Sequence, residues 1–121
     1  MNTTERSKIG LSERAHALLV QMKEDGYLGE MADGYRLAIG LALAHGVVPP
    51  DVTERKIIPF SVSTIDPELE IAAAIKALID LNGETVYRMA ERLAEWGVVE
   101  LSNRFDGGPL DIASLLPSTS T

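Results

Sequence analysis

The 121-residue sequence contains no cysteine. Without cysteine, neither a disulfide framework nor a thiolate metal site can form, and a reducing compartment is the natural expectation. The first ten residues, MNTTERSKIG, are polar, and no apolar run approaches the roughly 18 residues that a membrane span needs. We therefore expect a cytoplasmic protein that does not cross a membrane.

Histidine is also scarce, since only His16 and His45 are present and they do not form a His-x-x-x-His pair. A chemical site needs several convergent polar groups, and no such constellation can be assembled from the sequence. The glycines are isolated and do not form a phosphate-binding loop. We expect no catalytic residue, no metal site and no cofactor, and hence a protein that is not an enzyme.

Basic residues are outnumbered: 11 lysines and arginines face 18 aspartates and glutamates, for a net charge of −7. The acidic excess lies mostly in residues 47–121, which hold six basic and twelve acidic side chains. Most non-specific affinity for nucleic acid comes from neutralising phosphates with basic groups. An acidic chain is therefore a poor DNA binder unless it collects its basic residues on one surface.

The N-terminal half, residues 7–46, has the pattern of a strand followed by two helices. A short alternation of apolar residues precedes Ser12, which is a good N-cap for a helix over residues 12–25. A second helix is predicted over residues 30–45, because Gly46 and then two prolines stop it.

The second helix is apolar on all of its faces, so it must be covered on more than one side. Small residues along it would let another backbone approach closely. We interpret this helix as an oligomer interface, and ordinary packing inside the monomer is the alternative. The candidate interface residues are Gly34, Leu37, Ala38, Gly40, Leu41 and Ala42.

The C-terminal half begins with an extended segment, residues 47–65, in which the β-rich stretch IIPFSV contains a proline. A helical pair is predicted over residues 66–101. Its first helix begins with Asp66 as N-cap, and its second is amphipathic and ends at Gly97. The stretch VVEL that follows is a candidate strand that pairs with IIPFSV.

These elements define a mainly α fold of four helices with short N-terminal and central β segments. We expect one α-rich domain over residues 1–116 and a disordered tail over residues 117–121.

A strand, a helix and a longer helix also occur in this order in ribbon-helix-helix units, in which two chains pair their strands to read DNA. Arg6 and Lys8 are the candidate DNA contacts, since they point outward from the predicted strand. The acidic residues Glu30 and Asp33 lie where such a fold meets phosphate, which disfavours this hypothesis.

The blocks MADGYRLAIGLALAHG and YRMAERLAEWGVVEL resemble the small accessory proteins encoded with bacterial DNA phosphorothioation (Dnd-type) phage-defence systems. The resemblance covers roughly residues 9–101 and implies a cytoplasmic, non-enzymatic partner of a DNA-processing complex. It supplies no catalytic residue.

Two functions are therefore predicted. The first is an accessory or regulatory protein that acts through homo-oligomerisation or a protein partner. The alternative is a dimeric, ribbon-helix-helix-like regulator that binds DNA.

Overall fold

The computed structural model describes residues 8–50 and 55–105. Arg6 and the predicted tail, residues 117–121, lie outside the described residues. The described parts of the chain form two strands and five helices: β1 (Lys8–Ser12), α1 (Glu13–Glu24), α2 (Met31–Ala44), β2 (Arg55–Ser61), α3 (Val62–Ile65), α4 (Glu70–Leu78) and α5 (Val86–Phe105). The mainly α fold class with short β segments is confirmed. The number of helices is five instead of four, because α3 lies inside the segment that was predicted to be extended.

The two strands pair with each other in antiparallel order, with Lys8 opposite Ser61 and Ile9 opposite Phe60. The register shifts after Ile9, so the pairing is irregular around Gly10. The predicted pairing of VVEL with β2 is wrong, because residues 98–101 belong to α5.

The limits of α1 and α2 agree with the sequence prediction to within a residue. The Ser12 side chain accepts a hydrogen bond from the Ala15 amide, as an N-cap should. Gly26 and Gly46 follow the two helices with positive φ angles of 86° and 68°. Both glycines adopt the left-handed conformation that commonly ends a helix.

The last helix is longer than predicted. We expected it to end at Gly97, but α5 is 20 residues long and continues to Phe105. Gly97 is buried, and a Cβ at this position would overlap with the backbone of Ala38 in α2. This glycine therefore permits close helix packing in the middle of α5, and the contact offsets its low helix propensity.

The helix predicted from Asp66 begins later, at Glu70 in α4. Asp66 nevertheless supports the start of this helix, because its carboxylate accepts hydrogen bonds from the amides of Ile71 and Ala72 at 2.9 and 3.0 Å. The intervening Leu69 has a φ of 61°, a left-handed conformation that is uncommon for a leucine.

The core surrounds α5, which packs against α1, α2, α4 and β1. Each of these elements buries apolar side chains against it, and α5 contributes the largest share. The fully buried large side chains of α5 are Met89, Leu93, Val98 and Leu101, together with the carboxylate of Glu91.

Candidate functional site

The six candidate interface residues of α2 lie on two different faces of the helix. Four of them, Gly34, Ala38, Leu41 and Ala42, are buried within the chain. Leu37 is partly buried and packs at the edge of the core, whereas Gly40 is exposed. The same chain therefore covers most of the predicted oligomer interface.

The covering element is α5. Its Gly97 faces the backbone of Ala38, so the two helices approach closely at this crossing. The small residues of α2 thus serve a contact within the chain, which is the alternative that the sequence left open. Gly34 also has a core partner, since a Cβ there would lie 2.6 Å from a methyl group of Leu28 and 2.7 Å from one of Leu19.

The opposite face of α2 is only partly covered by the described residues. We call it the outer face, and it consists of Leu37, Gly40, Leu43 and Ala44. A Cβ on Gly40 would meet no atom within 4 Å. No polar side chain occurs between Arg36 and His45, so this face is apolar. Leu37 and Leu43 are partly buried against the core, whereas Gly40 and Ala44 are exposed.

Two cavities lie beside α2. One, of about 400 Å³, is lined by Arg36 of α2, by Glu70 and Ile71 of α4, and by residues 64–68. The other, of about 480 Å³, is lined by Val48 beyond the end of α2, by residues 80–84, and by Met89 and Arg92 of α5. Neither of these two cavities is lined by a residue of the outer face of α2.

The arginines at these cavities already have partners. Arg36 contacts the Asp33 carboxylate at 2.6 Å and donates to the Thr64 carbonyl at 2.9 Å. Arg92 donates from Nε to the Pro49 carbonyl at 2.9 Å and pairs with Glu84 at 3.2 Å. Both guanidinium groups therefore hold the chain together at the ends of α2.

A buried polar cluster connects β1 to the helices. Glu91 is 0% exposed, and it accepts a hydrogen bond from the Gly10 amide at 2.9 Å. Glu95 accepts from the Ser12 amide at 3.0 Å and from the Ser12 hydroxyl at 2.6 Å. The Tyr35 hydroxyl donates to the Gly10 carbonyl at 3.0 Å. We call these three side chains the β1 clamp.

The clamp changes the acidity of Tyr35. Burial raises the pKa of the Tyr35 hydroxyl well above its ordinary value, and the nearby carboxylates of Glu91 and Glu95 raise the pKa further. Tyr35 therefore remains a neutral hydrogen-bond donor over the whole physiological pH range. Arg88 lies 3.5 Å from Oε1 of Glu91 and provides a nearby positive charge.

From the sequence alone, the i, i+3 spacing of Arg88 and Glu91 predicts an ion pair on the solvated side of the last helix. The structure shows that this prediction is wrong for Glu91, which is 0% exposed. Because α5 continues past Gly97, Glu91 falls on one stripe with Val98, Leu101 and Phe105 at helical spacing. This spacing in the sequence could have indicated that Glu91 is buried. It was missed because the predicted helix ended at Gly97, eight residues before the end of α5.

The clamp also bears on the proposed DNA-binding ribbon. Lys8 is exposed on β1, as expected for a contact residue. However, β1 pairs with β2 of the same chain, and the backbone groups of Gly10 and Ser12 are bonded to the clamp. In this conformation, these backbone groups of β1 are not available to pair with a strand of a second chain. The pairing of β1 with β2 therefore gives no support to the DNA-binding ribbon.

A second buried carboxylate, that of Asp66, is also occupied by hydrogen bonds within the chain. Besides the two amides of α4, it accepts a hydrogen bond from the Tyr87 hydroxyl at 2.8 Å. Within residues 8–50 and 55–105, no three side chains of His, Cys, Asp or Glu are grouped as a metal site would require. His45 contacts the Trp96 ring, with 6.0 Å between the ring centroids.

Among the helices in the described part of the chain, none combines the length and apolarity that crossing a membrane demands. Comparison with protein-family models, with curated proteins and with solved structures found no match to this chain.

Proposed function

We propose that the protein is a cytoplasmic, non-enzymatic accessory or regulatory protein that acts by association with a second copy or another protein. The contact surface is the outer face of α2. Its link to a DNA-processing or phage-defence system rests on the resemblance of its helical blocks to Dnd-type accessory proteins.

One observation carries this proposal: the outer face is apolar and only partly covered by the described residues, in a chain whose net charge is −7. Scattered exposed apolar side chains are normal, but here Leu37, Gly40, Leu43 and Ala44 adjoin one another and no polar side chain interrupts the face between Arg36 and His45, which favours a contact with another molecule. Gly40 supports this reading, because an interior helical glycine costs about 1 kcal/mol relative to alanine and the described residues make no contact that uses its lack of a side chain.

Site-specific photo-crosslinking in cells tests the proposal. A photoreactive amino acid in place of Ala44 should form an adduct with a second copy or with another protein. The same replacement at Ala17, which is an exposed alanine on α1, is the matched control and should form none. If Ala44 gives no adduct and the purified protein is a monomer at high micromolar concentration, the proposal is wrong.

A further inference from the structure

We propose that the cavity between α4 and the beginning of α5 binds a small amphiphilic carboxylate, which is an apolar chain that ends in one carboxylate group. We call this space the α4–α5 cavity. It shares no lining residue with the outer face of α2, so this inference goes beyond the proposed function and can fail independently of it.

The α4–α5 cavity has a volume of about 410 Å³. Small-molecule sites in proteins commonly have volumes of about 300–1,000 Å³, and they combine mostly apolar walls with a few polar groups. The cavity has this composition, because only one of its lining side chains is charged. The lining residues are Leu69, which is the N-cap of α4, then Ala72, Ala73 and Lys76 of α4, and Val86 and Tyr87 of α5.

The α5 side of the cavity is fixed by the core of the chain. Val86 and Tyr87 are both buried, and so is Ala72 on the α4 side. The Tyr87 hydroxyl donates its hydrogen bond to the Asp66 carboxylate at 2.8 Å. Tyr87 therefore has no donor to spare for a ligand, and these three residues offer it mainly apolar surface in a preformed shape.

Leu69 gives a second reason to expect an apolar ligand. Its side chain is 62% exposed, and its φ of 61° is left-handed. This conformation is costly for leucine and is more readily adopted by glycine or asparagine, but neither of those would place an apolar side chain at the cavity. A ligand chain that covers Leu69 would remove its apolar surface from water, which is favourable. A leucine at this position is therefore useful to an occupied cavity.

The charge at the cavity selects the head group of the ligand. Lys76 is the one charged residue that lines it, whereas carboxylates line both of the cavities beside α2. Lys76 is exposed and makes no ion pair with another residue in 8–50 or 55–105. Its flexible stem allows the ammonium group to meet an anion at the edge of an apolar site. One lysine balances a carboxylate, whereas a phosphate carries nearly two charges.

The spacing of Leu69 and Lys76 indicates the size of the ligand. The two residues are seven positions apart, which corresponds to about 10 Å along α4. This distance is about the length of octanoate, so octanoate is a suitable probe.

A titration with octanoate, followed through the amide chemical shifts of the ¹⁵N-labelled full chain, tests the proposal. Octylammonium has the same chain with the opposite charge, and acetate has the same head group without the chain. Octanoate should cause saturable shifts at the amides of Ala73 and Lys76, and the other two ligands should not at the same concentrations. No saturable shift with octanoate, or an equal one with either control ligand, would overturn the proposal.

A charge variant tests the role of Lys76. Lys76→Gln should weaken octanoate binding about fivefold, because it removes an exposed ion pair with the ligand. Lys23→Gln changes another exposed lysine and gives the same net charge, so it is the matched control and should weaken binding by less than about twofold. Equal affinities in the two variants would contradict an ion pair with Lys76.

Two further variants test the apolar part of the site. Ala73→Phe places a large side chain at an exposed helical position that lines the cavity, and it should weaken octanoate binding about tenfold or more by occupying the space. Leu69→Asn should weaken binding without lowering the melting temperature, because asparagine tolerates the left-handed conformation. Unchanged affinity in either variant would overturn the proposed site.

Discussion

Two interior helical glycines of this chain have opposite surroundings. Gly97 in α5 lies against the Ala38 backbone, which cannot move away without displacing the core of α2. Gly40 in α2 lies in open space. From residue type and spacing alone, Gly40 was predicted to lie in a close helix contact and Gly97 only to end a helix. The sequence could not show the opposite, because the contact of Gly97 with Ala38 joins positions far apart in the chain.

Replacement of each glycine by alanine should therefore change stability in opposite directions. Gly97→Ala should lower the free energy of unfolding by about 1–3 kcal/mol, because it overpacks a crossing of two backbones. Gly40→Ala should raise the free energy of unfolding by up to about 1 kcal/mol through helix propensity. Urea unfolding of both variants measures this difference. A stabilised Gly97→Ala would contradict the observed crossing.

Tyr35 gives the chain a defined response to alkaline pH. Its pKa is raised by burial and by two carboxylates, so the hydroxyl loses its proton less readily in the folded chain than in the unfolded one. The stability that it contributes is complete below about pH 10, the ordinary tyrosine pKa, and is lost as the pH rises through the higher pKa of the folded state.

Tyr35→Phe tests this response. At neutral pH the variant should lose about 1 kcal/mol, because the hydrogen bond to the Gly10 carbonyl is removed. Above about pH 10 the difference between the two proteins should shrink, since only the wild-type chain then carries the cost of keeping the tyrosine neutral. Chemical denaturation between pH 7 and pH 11 provides the measurement, and a constant difference would refute this account.

At the scale of elements, the start of α4 depends on a side chain four residues before it. The Asp66 carboxylate accepts from two α4 amides and from the Tyr87 hydroxyl, and it thereby joins α4 to α5. The sequence prediction of Asp66 as the N-cap is wrong in position, because the N-cap of α4 is Leu69, although the Asp66 side chain does accept hydrogen bonds from two amides of the first turn. The sequence did not indicate that Leu69 would take a left-handed conformation and delay the helix. The hydrogen bond that holds Asp66 comes from Tyr87 of α5, which is 21 positions away and beyond the reach of local propensity.

Asp66→Ala should leave these three donors without their acceptor. We expect a loss of about 2–4 kcal/mol, since buried unsatisfied donors cost about 1–3 kcal/mol each and relaxation recovers a part. Hydrogen exchange should accelerate at the amides of Ile71 and Ala72. The control Glu68→Ala changes an exposed carboxylate and should remain within about 0.5 kcal/mol of the wild type. Similar losses in both variants would mean that Asp66 has no special role.

At the scale of the whole molecule, the local periodicities predicted the class of the fold and the limits of α1 and α2. The pairing of β1 with β2 and the continuation of α5 were missed, because both depend on contacts between distant segments. The candidate site shows the same division. The apolarity of α2 was evident in the sequence. The sequence did not indicate which side of α2 the chain itself covers, because that depends on the packing of α5 against it.

The charge of the whole chain predicts weak interaction with nucleic acid. At about 0.15 M salt we expect no measurable binding to duplex DNA, because few phosphates can be neutralised by a chain with 18 acidic and 11 basic residues. An electrophoretic mobility assay across a salt series checks this expectation. Tight binding that weakens steeply with salt, and that is lost when Arg6 and Lys8 are both changed to alanine, would favour the DNA-binding alternative.

The β1 clamp also has a consequence for biosynthesis. Gly10 and Glu91 are separated by 81 positions, and Ser12 and Glu95 by 83. A ribosome that adds about 5–20 residues per second needs several seconds to span that interval. During this time the first strand exists without the carboxylates that bind its amides. The native contacts of β1 with these carboxylates therefore form only after α5 has been translated, and contacts of such long sequence separation slow folding.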